Sequence, residues 1–162
     1  MPELKLPTFM EAELRELLSW LGPRCRSFAD LRKADWLSAL RGRLSFAQQQ
    51  AIDREVPERL LVPSGSQITL TYAEGRPPVL AVRIQELFGL AETPRIAGGR
   101  VKVLLHLLAP NYRPQQVTDN LASFWANTYP QVRKELRARY PKHAWPEDPA
   151  SAAPTARAKP RA

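Results

Sequence analysis

The sequence predicts an α+β fold, with an N-terminal helical lobe packed on a small mixed α/β unit of few strands and two C-terminal helices, followed by a disordered tail. Three observations carry this reading. Apolar residues recur every three or four positions over the first third of the chain, the period drops to two after Pro63-Ser64-Gly65, and helical spacing returns towards the C-terminus. A chain of 162 residues, 44% hydrophobic and 25% charged, can bury one sizeable core. The expected divisions are 1–62, helical; 63–146, α+β; and 147–162, a tail with little to bury, the first 146 residues forming one compact unit.

Each helix of the N-terminal segment is announced by an acceptor side chain followed three residues later by a group able to reach back: Thr8/Glu11, Ser27/Asp30 and Ser45/Gln48. In the first, Met10, Leu14, Leu17, Leu18 and Leu21 hold helical spacing until Gly22-Pro23. In the second, Phe28, Leu31, Leu37, Leu40 and Leu44 outline one long stripe. The third, around Ala47 to Val56, is more polar and ends near Pro57.

Ile68, Leu70 and Tyr72 then alternate with polar residues, the pattern of a strand wet on one face. Pro77-Pro78 precede Leu80, Ile84, Leu87 and Phe88, which read as a short helix stopped by Gly89, although Val79 to Val82 also fit a strand. Val101 to Leu108 are apolar on both alternate faces and predict a central strand. Pro114 opens a helix carrying Val117, Leu121, Phe124 and Trp125, and Pro130 opens another with Val132, Leu136 and Tyr140 inside.

The net charge of +8 is unevenly placed, for residues 63–146 carry eleven basic side chains against five acidic ones. Such an excess favours an anionic partner, nucleic acid first. Within it, Arg133, Lys134, Arg137, Arg139 and Lys142 face a single acid, Glu135, and are interleaved with Tyr129, Tyr140 and Trp145. Cations neutralise phosphates and aromatic faces stack on unpaired bases, so Arg133, Lys134, Arg137, Arg139, Lys142 and Trp145 are the candidate nucleic-acid contacts. The competing reading of the charges is a solvated helix face, and Trp145, with no helical spacing to a core residue, is free to stack or to pin the tail.

Catalytic and metal signatures are missing from the sequence. Ser64-Gly65-Ser66 lacks the spacing of a nucleophile elbow, Gly98-Gly99-Arg100 lacks the Lys-Ser/Thr of a phosphate-cradling loop, and both read as turns. Two histidines and one cysteine far apart give no metal-ligand spacing. His106 lies in an apolar strand and reads as a core histidine, while His143 is either a phosphate donor or a solvated loop residue. Cys25 reads as a small packing residue, and a lone cysteine, with no apolar run of about 20 residues, fits a reducing cytoplasm and no membrane. Glu86, Asp119 and Asn120 are the polar residues left without a role.

The runs VPSGSQITLTY, PPVLAVRIQELFGLAETPRIAGGRV, LLHLLAP, RPQQVTDNLASFWANTYPQVRKELRARYPKHAWPEDP and PTARAKPR together resemble the C-terminal domain of HrpB-type bacterial DEAH-box ATP-dependent RNA helicases. The resemblance extends from about residue 8 to the end. It implies an accessory region bounding a nucleic-acid path or docking on the helicase RecA-like domains, with RNA or another single strand and those domains as partners. None of the family's ATP-site motifs is in this sequence, so the resemblance implies no catalytic residue and no cofactor here; ATP and magnesium belong to the helicase core.

Overall fold

The computed structural model describes residues 4–156, and their contacts divide the chain after Val56 into two compact units, not after Val62 as the sequence suggests. The reason is a strand the periodicity does not reveal: Arg59–Leu61 pairs antiparallel with Gln67–Thr71, which draws residues 57–62 into the second unit.

The first unit holds four helices, α1 (Glu11–Leu21), α2 (Phe28–Lys33), α3 (Trp36–Arg41) and α4 (Phe46–Glu55). At the start of α1 it is Glu13, not Glu11, that reaches back, accepting from Thr8 Oγ1 (3.0 Å) and the Met10 N–H (3.1 Å). The single long second helix expected from the Phe28–Leu44 stripe is broken at Ala34 and Asp35, because the Asp35 carboxylate accepts from the Ser38 N–H (3.0 Å) and starts a new helix. Ser45 and Gln48 do form a reciprocal cap on α4. A small core of Leu17, Leu21 and Ala39 is flanked by Leu31, Ala34, Trp36 and Leu40.

The second unit is built on a five-stranded sheet in the order β1-β2-β3-β6-β7: β1 (Arg59–Leu61), β2 (Gln67–Thr71), β3 (Val79–Arg83), β6 (Leu104–Leu108) and β7 (Pro114–Thr118). The β3–β6 pairing is parallel and the others are antiparallel. The crossover between β3 and β6 carries a 3₁₀ turn, Ile84–Leu87, and a separate hairpin of β4 (Arg95–Ile96) and β5 (Val101–Lys102). The fold class is thus α+β, with helices and a small mixed sheet.

Two elements differ from the expected helices for identifiable reasons. Val79–Arg83 is a strand because Leu80 and Val82 pair with Leu105 and Leu107 and all four are buried, so only the four residues after it coil into the 3₁₀ turn. Pro114 begins an edge strand instead of a helix; at an edge its missing N–H removes no ladder bond, and the register breaks at a bulge between Leu107 and Leu108. The last helical run therefore starts later, at α5 (Leu121–Ser123), where the Asn120 side chain accepts from the Ser123 N–H (3.0 Å).

From α5 the chain passes through a π-helical turn, Phe124–Thr128, into α6 (Tyr129–Arg139), so the two expected C-terminal helices are one nearly continuous run. The Tyr129 N–H bonds to the Phe124 carbonyl, five residues back, and the widened turn puts Phe124, Trp125 and Tyr129 into one cluster with Phe88. Trp125 and Tyr129 meet edge to face at 5.2 Å and 87°. Leu80, Leu105, Leu107, Leu121 and Leu136 complete this core.

Residues 147–156, expected to be disordered, are instead fixed against the 3₁₀ turn, while 157–162 lie outside the described residues. The Gly89 N–H donates to Pro149 O (2.9 Å), the Thr155 N–H to Gln85 O (3.0 Å) and Arg83 Nη2 to Ala156 O (2.7 Å). Low hydrophobicity did not leave the segment free, because it satisfies backbone groups that the turn buries. Gly89 has φ +85°, and an added Cβ would stand 3.2 Å from Ala152 O. We expect Gly89→Ala to lower unfolding free energy in urea by about 1–2 kcal/mol, with Gly22→Ala, where nothing lies within 4 Å of the added Cβ, close to neutral.

Candidate nucleic-acid interface

The basic segment is held by its own inner residues. Leu136 is buried on one side of α6, and Tyr129 at its start is 1% exposed, with its hydroxyl donating to Pro146 O at 3.1 Å. Burial of that ring pushes the phenol well above its ordinary range, so it stays a neutral donor.

Arg133 faces inward. Its Nε donates to Trp145 O (2.8 Å) and its Nη2 to Glu147 (3.1 Å), so it fastens the returning chain to the helix. Trp145 is 8% exposed and its indole N–H donates to Tyr140 O (2.9 Å), which closes the end of α6. Of the two roles open to this ring, stacking on a base and pinning the tail, its burial and its hydrogen bond favour the second. Trp125, with its N–H on Leu90 O (2.8 Å), is core as its spacing indicates.

Lys134, Arg137, Arg139 and Lys142 are all exposed, and none forms an ion pair among the described residues. Glu135, the acid among them, accepts from Gln131 Nε2 (2.9 Å). Arg133 and Arg137, one turn apart, share one wall of an open groove of ≈ 580 Å³; His143, Trp145 and Thr155 also line it.

A buried polar cluster accounts for Glu86, one of the polar residues without a role in the sequence. Glu86, 3% exposed, accepts from Ser66 Oγ (2.9 Å) and Arg83 Nη2 (2.9 Å), and Ser64 Oγ donates to Ser66 Oγ (3.1 Å). The serines therefore anchor a structural ion pair, and the one carboxylate beside Ser66 is held by Arg83, which favours its charged, hydrogen-bonded form over a role as proton acceptor. Arg83 also stacks on the Tyr112 ring at 5.1 Å. Gln85, fully buried, lies 3.4 Å from His143 Nδ1. Desolvation, with a smaller contribution from the Arg83 charge, lowers the His143 pKa, so the ring is neutral near pH 7. Asp119 O accepts from Thr93 Oγ1 (2.9 Å), and with Asn120 as a helix cap neither is arranged for catalysis. Among the described residues no group of three or more His, Cys, Asp or Glu could hold a metal ion, and no helix is long and apolar enough to cross a membrane.

Residues 18–149 match the model of the HrpB-type ATP-dependent helicase C-terminal family. The chain belongs to this family. It is 48% identical over 152 residues to the ATP-dependent RNA helicase HrpB of Escherichia coli K12, covering 92% of this chain and 19% of that protein. It is also similar to two crystal structures of E. coli HrpB. One, described as a DExH-box NTPase, has TM-score 0.86 and 46% identity over 95% of this chain and 20% of that one. The other, described as a DEAH/RHA helicase, has TM-score 0.71 and 44% identity over 89% and 19%. The chain thus spans about a fifth of the length of the relatives it matches, and what it matches is the C-terminal helicase region, not the ATPase core.

Within this HrpB-type region two predictions test the assigned roles. Arg133→Met removes a charge-assisted bond to Trp145 O, and we expect a loss of about 1–3 kcal/mol in urea unfolding and faster hydrogen exchange over 145–156; Lys134→Met changes neither. Because the folded His143 pKa lies below the ordinary 6.5, its contribution is full above pH 6.5 and is lost as pH falls below that value. Stability measured from pH 7.5 downwards should fall through this window, and His143→Gln should flatten the fall.

Proposed function

We propose that this chain serves an HrpB-type helicase as an accessory region that contacts the RNA backbone through the outer side of α6 and the turn after it. The observation that carries the reading is the group of four exposed cations, Lys134, Arg137, Arg139 and Lys142, without an ion-pair partner among the described residues. Unpaired cations on a helix anchored by Tyr129, Arg133 and Trp145 form a pre-organised phosphate-binding surface, since little ordering remains to be done on binding. Contacts of this kind fix position without reading bases. The relative's description as an RNA helicase points to RNA as the strand, and the cytoplasm as the place of work.

ATP hydrolysis, with its ATP and magnesium, belongs in this reading to the helicase core, and the chain alone neither hydrolyses ATP nor unwinds a duplex. A second role, docking on the RecA-like domains, is favoured by the first unit, where Phe28 is 85%, Phe46 74% and Met10 68% exposed. The two roles occupy different surfaces and are compatible.

Fluorescence anisotropy with labelled single-stranded RNA across a salt series tests the first role. Each of Lys134→Ala, Arg139→Ala and Lys142→Ala should lower the slope of log K against log salt by about 0.7, equally for different sequences. Unchanged affinity and slope in the triple variant would sink the proposal.

A further inference from the structure

We propose that the groove between α6 and residues 145–156 is a subsite for the terminal phosphate monoester of an RNA strand; this rests on the reading of the α6 cations as the RNA face. Its volume, ≈ 580 Å³, is on the scale of a small-ligand pocket. One wall carries Arg133 and Arg137. Arg133 has its guanidinium plane fixed by Trp145 O and Glu147, which leaves its other terminal nitrogen without a hydrogen-bond partner among the described residues, and Arg137 has no ion-pair partner among them. Two guanidiniums one turn apart match the nearly double charge of a monoester better than the single charge of an internal diester, and each can grip with a pair of N–H groups.

The facing wall carries Thr155 and His143. Thr155 is half-buried, but its Oγ1 is turned away from solvent and has no hydrogen-bond partner, so a rotation about χ1 that brings the hydroxyl into the groove would let a phosphate oxygen satisfy it. His143 is held through Nδ1 by the buried Gln85, which leaves Nε2 as the ring nitrogen available to a ligand. The apolar remainder, including Pro141 and Trp145, suits the sugar of the last nucleotide. Glu147 is the one carboxylate paired with Arg133; being 87% exposed, it can swing into solvent at little cost when a phosphate arrives.

Helix geometry separates this subsite from the backbone contacts. Arg137 and Arg139, two residues apart, project about 200° from each other around α6, so Arg139 lies on the far side of the helix from the groove wall. The same strand would pass over the outer cations and end in the groove.

The test compares the whole chain's affinity for one RNA oligonucleotide carrying a 5′-phosphate, a 3′-phosphate or hydroxyl ends, with adenosine monophosphate as a separate probe. One phosphorylated end should bind roughly tenfold tighter than hydroxyl ends. Thr155→Val, nearly isosteric, and Ala153→Trp, which fills the groove from an exposed position, should both erase that difference. Lys134→Ala and Arg139→Ala should weaken all three strands alike. Equal affinity for the three ends, with Lys134→Ala and Arg139→Ala still weakening them, overturns the subsite and leaves the RNA face standing. No effect of those two variants on any strand overturns the RNA face itself. Adenosine monophosphate binding as tightly as the phosphorylated strand, with the same loss in Thr155→Val, makes a free nucleotide the ligand and overturns the strand-end assignment.

Discussion

Burying the Tyr129 ring while keeping its hydroxyl bonded to Pro146 O makes two demands on the second unit at once. The helical run must widen by one residue so that Phe124, Trp125 and Tyr129 can share a core with Phe88, and the chain after α6 must fold back to present a carbonyl. An aromatic ring of this size contributes several kcal/mol of burial, and an unpartnered hydroxyl inside would cancel much of it. The geometry of α6, the course of residues 145–156 and the groove between them all follow from meeting both demands together.

That constraint also sorts the cations. Arg133 lies on the side of α6 that the returning chain covers, so its donors close the structure, while Lys134, Arg137, Arg139 and Lys142 remain outside. A row of like charges in sequence is therefore two populations in space, one that also closes the structure and one without an ion pair among the described residues. Glu86 and Arg83 show the same division on a smaller scale. Their ion pair, with Ser66 attached, is engaged inside the unit and supports the turn against which residues 147–156 lie.

Much of this was legible in the residues. The capping pair Ser45/Gln48, the alternation from Gln67 to Thr71 and the buried stripe through Leu136 follow from short-range chemistry, and the family resemblance rests on long continuous motifs that the comparisons bear out. What escaped depended on partners distant in sequence. Pro114 suits either a helix start or an edge strand, and only pairing with β6 decides between them. Residues 147–156 have no apolar pattern because their contribution is backbone hydrogen bonds to Gly89, Gln85 and Arg83. Trp145 has no helical spacing to a core residue, and only the folded chain shows its indole sharing the Tyr140 carbonyl at the end of α6 with the His143 N–H.

The parallel pairing of β3 with β6 brings the 3₁₀ turn between them to the place where residues 149–156 attach, so the attachment depends on the sheet. The sheet holds the turn that presents Gly89 N, Gln85 O and Arg83, whereas none of the strand pairings among the described residues involves residues 149–156. Because Ala152, Ala153 and Thr155 line the groove, its shape depends on residues 149–156 staying fastened to the turn, so hydrogen bonds made at Gly89, Gln85 and Arg83 set the form of a surface on α6.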